Sequence, residues 1–261
     1  MDKHKKNFAG RHRLFNLPVN NLTMAQTKAL LRKTARNGKS VVLSTLNVNW
    51  VVESFRNPPF RAAIVNSEIV VLDGKPLLWL SKLHGFPMQE VVPGSTLIQE
   101  LHHEQTGEPP LTIFLFGGEK SVAQLAMQRI NATPGGLKAV GALNPGFGSV
   151  EELSTPDIIE AINRARPDIL LVALGAKKGV QWIARNRHQL DARIISHLGA
   201  TINFLAGTVQ RAPQFMRRLG LEWLWRIYQE PKLISRYARD GLTLFLLYPL
   251  HLLSGDLQKE L

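Results

Sequence analysis

A chain of 261 residues with 44% hydrophobic content can bury a sizeable core, and its composition is not that of a disordered protein. It has no cysteine, which excludes disulfides, thiolate metal sites and thiol nucleophiles together and fits a reducing, cytoplasmic setting. Its formal net charge of +12 implies an anionic partner: nucleic acid, anionic lipid or a phosphorylated substrate.

In chain order, residues 1–13 read as a loose basic tail with no apolar stretch behind it, so no signal peptide is expected. Residues 14–19 read as a short strand. Thr23 is placed to cap a helix through Arg36, closed by Gly38. Residues 40–46 form a buried strand ending in Thr45-Leu46-Asn47. A helix carrying Trp50, Val51 and Phe55 follows, stopped by Pro58-Pro59, and then a short helical piece over 61–66. The apolar run Ile69-Val70-Val71-Leu72 fits a strand buried on both faces of a parallel sheet. Asp73-Gly74 ends it, where a strand's C-terminal end would offer a carboxylate to a ligand. On this stretch alone the commoner reading is a turn whose Asp caps the next helix, which carries Leu77, Leu78 and Leu80.

The middle alternates clearly. Ser95 opens a helix to 103, residues 111–116 are a strand, Gly117-Gly118 a turn and 119–130 a helix. A strand over 137–143, a helix over 151–164 and a strand over 168–174 closed by Gly175 follow. Residues 178–188 then make a helix, and 193–198 a strand closed by Gly199. Strands alternating with helices of this length predict right-handed crossovers and a Rossmann-like, mostly parallel α/β sheet flanked by helices. From Pro213 two helical segments, about 213–229 and 232–248, follow without a strand between them. Residues 211–239 hold seven Lys or Arg against two Glu, and Lys232, Arg236 and Arg239 share a helix face. The apolar stretch 241–253 is too short for a membrane span, which takes about 20 residues. It suits either a helix lying in a membrane interface or a terminal helix packed on the core. The predicted domains are a tail (1–13), an α/β catalytic unit (14–210) and a helical, membrane-associating C-terminal appendage (211–261).

The usual chemical signatures are missing: no P-loop, no G-x-G-x-x-G, no H-E-x-x-H and no G-x-S-x-G. No Asp-x-Asp pair is present to hold a metal against nucleotide phosphates, so neither metal nor cofactor is expected. Gly117-Gly118 is a weak glycine turn that suits either a diphosphate or a plain change of direction. His197, at the end of a buried strand, reads as a packed polar residue rather than a base. Without a metal, a leaving phosphate needs cations or helix N-termini, and the basic C-terminal segment supplies cations.

Several of these residues carry a resemblance. Thr45-x-Asn47, Asp73-Gly74, Phe114-Leu-Phe-Gly-Gly118 and above all the run Gly199-Ala-Thr-Ile-Asn-Phe-Leu-Ala-Gly207, Arg211-Ala-Pro213, Leu219-Gly-Leu-Glu-Trp-Leu-Trp-Arg226 and Glu230-Pro231 resemble the WecG/TagA/CpsF glycosyltransferase family. The similarity spans about residues 14–239. It implies an inverting, metal-independent transfer from a UDP-sugar to a polyprenyl-diphosphate-linked sugar in bacterial surface or exopolysaccharide assembly. It also implies a cytoplasmic enzyme, peripheral on the inner face of the cell membrane and bound to an anionic surface, and leaves room for a homo-oligomer. By that resemblance Asp73 matches the family's proposed general base, and Thr45 and Asn47 the polar residues near it. Gly74, Gly117, Gly118 and Gly175 are candidate substrate contacts. Arg226, followed by Arg236, matches the arginines of a C-terminal appendage thought to close on the diphosphate, and Arg211 is a further candidate substrate contact.

There are departures. Where the family usually reads Gly-Ser-Pro-Lys-Gln-Glu, this chain has Gly175-Ala-Lys-Lys-Gly-Val180; Asp-Gly-Ile-Gly becomes Asp73-Gly-Lys-Pro76, and Thr-Phe-Asp-Phe becomes Thr201-Ile-Asn-Phe204. They leave the donor open between UDP-N-acetylmannosamine and UDP-glucose types. The rivals from other classes are a basic nucleic-acid-binding protein and a non-catalytic sugar-nucleotide sensor. Against nucleic acid, the basic residues lie beside a leucine-rich tail rather than among aromatic residues in a groove.

Overall fold

Six apolar runs pair as one parallel sheet in the computed structural model, which describes residues 10–119 and 121–253. These strands are β3 (Val41–Leu46), β4 (Ile69–Leu72), β5 (Leu111–Gly117), β6 (Leu137–Leu143), β7 (Ile169–Ala173) and β8 (Ile194–His197), in the order β4-β3-β8-β7-β5-β6. Along β7, Ile169 and Leu171 enter one hydrophobic cluster, while Leu170 and Val172 enter the cluster on the opposite face. Both faces are therefore dry, as a parallel sheet requires.

One face is covered by α1 (Met24–Arg36), α5 (Gly94–His103), α6 (Val122–Ala132) and α9 (Thr201–Ala206), through Leu31, Leu97, Ala126 and Ile202. The other is covered by α2 (Val48–Arg56), α3 (Pro58–Val65), α7 (Pro156–Ala165) and α8 (Ala176–Asn186), with Val51, Phe60, Ile162 and Trp182 pointing inward. α4 (Lys75–Leu83) follows β4 and buries Leu77 on this second face. The expected Rossmann-like layering is the observed one.

The differences lie in short elements. The single strand expected over 14–19 is a hairpin of β1 (Arg11–Leu14) and β2 (Leu17–Asn20), so Arg11, His12 and Arg13 are strand rather than loose tail. Its two-residue turn, Phe15-Asn16, has positive φ at both positions, a geometry that hairpins favour and that phenylalanine rarely adopts. The buried Phe15 ring, 1% exposed, offsets that strain. Pro58-Pro59 ends one helix and starts the next, because a proline in the first turn lacks an N–H that would have no partner there. The helix expected from 151 begins at Pro156, where Thr155 accepts from the Ile158 N–H. α9 forms where the sequence pattern predicts no element.

The 213–229 segment is two helices, α10 (Gln214–Leu219) and α11 (Glu222–Gln229), broken at Gly220 with φ +76°. α12 (Leu233–Leu253) continues beyond Tyr248 through Pro249. It docks on the second face by Asp240, Leu244 and Tyr248, one helical stripe. Among the described residues no helix is long and apolar enough to cross a membrane. Most of the predicted tail and the last residues of the chain lie outside the described residues.

Candidate active site

Because the six strands run parallel, their C-terminal ends share one edge, and Thr45, Asn47, Asp73, Gly117, Gly175 and His197 all stand along it. Asp73 follows β4, its N–H donating to the Leu46 carbonyl at 2.7 Å. The N-cap of α4 is Gly74, and no side chain caps that helix. The Asp73 carboxylate is thus not spent on a cap. Gly74 has φ +106° and ψ 140°, a backbone that side-chain-bearing residues avoid, so the abrupt turn after the carboxylate needs glycine.

Burial, and next the charge of Glu222, push the Asp73 pKa up to about 7, against the opposing pull of Arg226 and Arg211. Those three residues belong to the C-terminal segment, which the fold lays over the Asp73 turn. A methyl group on Gly220 would fall 2.6 Å from Cγ of Lys75, so the α10–α11 break sits directly on the first residue of α4. Glu222 and Lys75 thereby join the candidate site, and neither is singled out in the sequence. Arg236 lies apart: its guanidinium rests 5.3 Å over the Tyr237 ring, and it is not among the charges acting on Asp73.

α5 begins at the same edge. The Val92 N–H donates to the Leu72 carbonyl at 2.7 Å, and a methyl on Gly94 would meet Leu198 at 2.3 Å and Thr45 Cγ2 at 3.4 Å. Thr45 is buried under that turn. No side chain caps α5 or α8, whose N-cap is Gly175, so their first N–H groups point at the edge uncapped. Arg211 reaches the first turn of α5, donating to Thr96 Oγ1 at 2.7 Å, to Ser95 Oγ at 3.3 Å and to Gln99, with Phe204 5.6 Å beneath it. Asn47 is the N-cap of α2; its Oδ1 accepts from the Trp50 N–H at 3.0 Å, so its oxygen is engaged in the cap.

Gly117 and Gly118 have a packing explanation. A methyl on Gly117 would sit 2.5 Å from the Ala173 carbonyl oxygen, and the Gly118 N–H already donates to that oxygen at 3.0 Å. That amide is not on offer to a phosphate. Gly175 is different, exposed and with nothing within 4 Å of where its Cβ would be. Among the described residues no group of three His, Asp or Glu gathers as a metal site.

A parallel sheet with an uncapped carboxylate at one strand end, bare helix N-termini beside it and cations folded over it suits transfer of a group from a phosphate leaving group. The comparisons agree. Residues 12–256 match the family described as "Glycosyl transferase WecG/TagA/CpsF family". Similar proteins include the N-acetylglucosaminyldiphosphoundecaprenol N-acetyl-beta-D-mannosaminyltransferase of Bacillus subtilis (strain 168), 26% identical over 84% of this chain and 83% of that protein. The proteins of that name from Bacillus spizizenii, 26% identical over 74% of this chain and 73% of that one, and Staphylococcus aureus (strain MRSA252), 22% identical over 85% and 86%, are also similar. With the family match running nearly end to end and the sheet edge furnished as described, the chain belongs to the WecG/TagA/CpsF glycosyl transferase family and is a glycosyltransferase.

Proposed function

We propose that the protein moves a hexosyl unit, with inversion, from a UDP-sugar to a sugar carried on a polyprenyl diphosphate, in bacterial surface or exopolysaccharide assembly. The observation that carries this reading is Asp73: a carboxylate at a strand end, uncapped, with its pKa raised to about 7 and two arginines facing it. Such a group holds a proton well enough to take one from an alcohol, yet is ionised in a useful fraction at neutral pH. In the reaction the Asp73 carboxylate takes the proton of the acceptor hydroxyl. The acceptor oxygen forms a bond to the anomeric carbon as that carbon's bond to the diphosphate oxygen breaks on the opposite side. UDP leaves with the bonding electron pair.

Its charge is received by Arg226, Arg211 and the uncapped N-terminal turn of α5. With the diphosphate neutralising both arginines, their pull on Asp73 weakens, and the carboxylate becomes a stronger base as the substrate binds. Thr45 shapes the floor, and Asn47 offers its amide to the acceptor. The relatives' names point to an N-acetylmannosamine donor and an N-acetylglucosamine-diphosphoundecaprenol acceptor; UDP-glucose is the other donor that the departures at 175–180 leave in play.

A lipid-linked acceptor would require the enzyme to work at a membrane, and the C-terminal helices suit the cytoplasmic surface of one. α12 turns Asp240, Leu244 and Tyr248 inward and leaves Leu242, Phe245 and Leu246 60–74% exposed, beside a basic stripe. The test is incubation with a panel of UDP-sugars and a lipid-diphosphate acceptor, read by mass spectrometry. A product heavier by one hexosyl unit is the expected result; donor hydrolysis alone, or no product with any donor, contradicts the reading.

A further inference from the structure

His197 closes β8, two strands from β4, so about 10 Å of sheet edge separates it from Asp73. Only 7% of its surface is exposed, and its Nε2 is buried without a hydrogen-bond partner. The ring is held on three sides. Trp50 of α2 lies 6.0 Å away between ring centres, Gly199 follows after one residue, and Gly179 in the first turn of α8 packs against it. A methyl at 179 would fall 2.1 Å from the ring's Cδ2 and 2.9 Å from Nε2, and one at 199 would fall 3.4 Å from Nε2. Gly179 has an ordinary helical backbone, where glycine is disfavoured. What it provides is room for the imidazole.

The ring's protonation follows from its setting. Burial pulls its pKa down to about 4, opposed by hydrogen bonding to the backbone at its own residue and at Gly175. The imidazole is therefore neutral at neutral pH. The nitrogen facing those backbone carbonyls keeps the proton, and Nε2 is left as a bare acceptor. Buried acceptors are almost always matched by a donor. A phosphate oxygen is itself an acceptor and does not fit, whereas a hydroxyl does. A single hexose ring with a hydrogen bond on each side spans the distance between His197 and Asp73.

We propose that His197 is a specificity-determining residue, its Nε2 accepting a hydrogen bond from a hydroxyl of the sugar carried by the nucleotide, and that position 179 is glycine to leave the ring that place. This rests on the assignment of a sugar nucleotide to this edge. The test uses the full-length protein, with calorimetry against UDP and against a panel of UDP-hexoses, and initial rates with a lipid-linked acceptor. For His197→Ala, the affinity for the preferred UDP-hexose falls about 10-fold while that for UDP is unchanged, and the preference over a donor epimer narrows. His197→Gln, whose Oε1 can accept near where Nε2 did, recovers part of the discrimination. Gly179→Ala keeps the imidazole but pushes it aside, and it reproduces the loss.

Equal weakening of UDP and UDP-hexose would assign the contact to the nucleotide or to packing and overturn the proposal. So would unchanged donor preference in both His197→Ala and Gly179→Ala. If the unmodified protein binds and transfers a hexose while the variants discriminate as well as it does, this proposal alone falls. If it handles no UDP-hexose at all, the sugar-nucleotide reading falls with it.

Discussion

The sheet with its two helical layers and the C-terminal helices α10–α12 are built on different terms. In the sheet, Ile69, Val71, Ile113, Leu115, Leu170 and Ile194 are wholly buried, and the strands fix one another in register. In α10–α12, Phe215, Leu219, Trp223, Tyr228, Ile234 and Phe245 are exposed, and the hold on the core is narrow. Among the described residues it includes Leu244, the Tyr248 ring near Phe15 and His84, the Asn49–Asp240 hydrogen bond at 2.8 Å, Arg56 donating to Thr243, and the Trp225 indole donating to the Gln210 carbonyl. The candidate base, Asp73, is fixed by the rigid part, and one of its facing cations, Arg226, is carried by the loosely held one. On the proposed reading, in which the acceptor is lipid-linked, the chemistry would stay incomplete until the C-terminal segment is seated on the core.

Removing the weaker region breaks this comparison most severely. Truncation after Gly207 is expected to leave an α/β core with its circular-dichroism signature, while transfer to the lipid-linked acceptor and binding to anionic liposomes both disappear. Full activity in that core would make the C-terminal helices mere packing. Removing one cation separates the two roles of that region. Arg226→Ala is expected to lose about 10²–10³-fold in turnover with liposome binding kept, since one preorganised charge is lost and the apolar face of α12 is not touched. Parallel loss of both would merge what the comparison separates.

A smaller effect bears on stability. Above pH 7 the folded protein must hold Asp73 as an ion that burial disfavours, whereas in the unfolded chain the same group ionises near 4. The folded state is therefore favoured below about pH 4 and loses that advantage as pH rises to about 7, up to about 4 kcal/mol in all. Asp73→Asn cannot ionise, so denaturant titrations should show it more stable than the unmodified protein at pH 8 and no different at pH 4. A variant less stable at pH 8 would mean that the carboxylate is paired rather than strained.

How much was legible in the sequence follows from what each element depends on. β4 and β7 were readable because a strand buried on both faces must be a continuous apolar run. The β1–β2 hairpin was not, since its turn is Phe15-Asn16 rather than a glycine pair. α7 begins five residues later than the range 151–164, at the Thr155-Pro156 start signal; in the fold Glu152 accepts from the Ser149 N–H in a turn before it. α9 has six residues, too few to show a period. In the site, Asp73, Arg211 and Arg226 could be named from a resemblance in local motifs. Glu222 lay inside one of those motifs, but only the fold brings its charge to bear on Asp73. The glycine at 179 was visible as a departure, but the reason for it was not. It takes the tertiary packing of α8 on β8 to show the His197 ring in the space of the missing side chain.

The central claim is that Asp73 is the base of a glycosyl transfer, and its most direct test is turnover of Asp73→Asn set beside UDP binding by the same preparation. The amide keeps the size and hydrogen-bonding capacity of the carboxylate and removes only its ability to take a proton. Loss of about 10²–10⁴-fold in transfer, with UDP affinity close to that of the unmodified protein, is the result predicted. Near-normal turnover in the variant would contradict it and leave Asp73 a structural residue at a strand end.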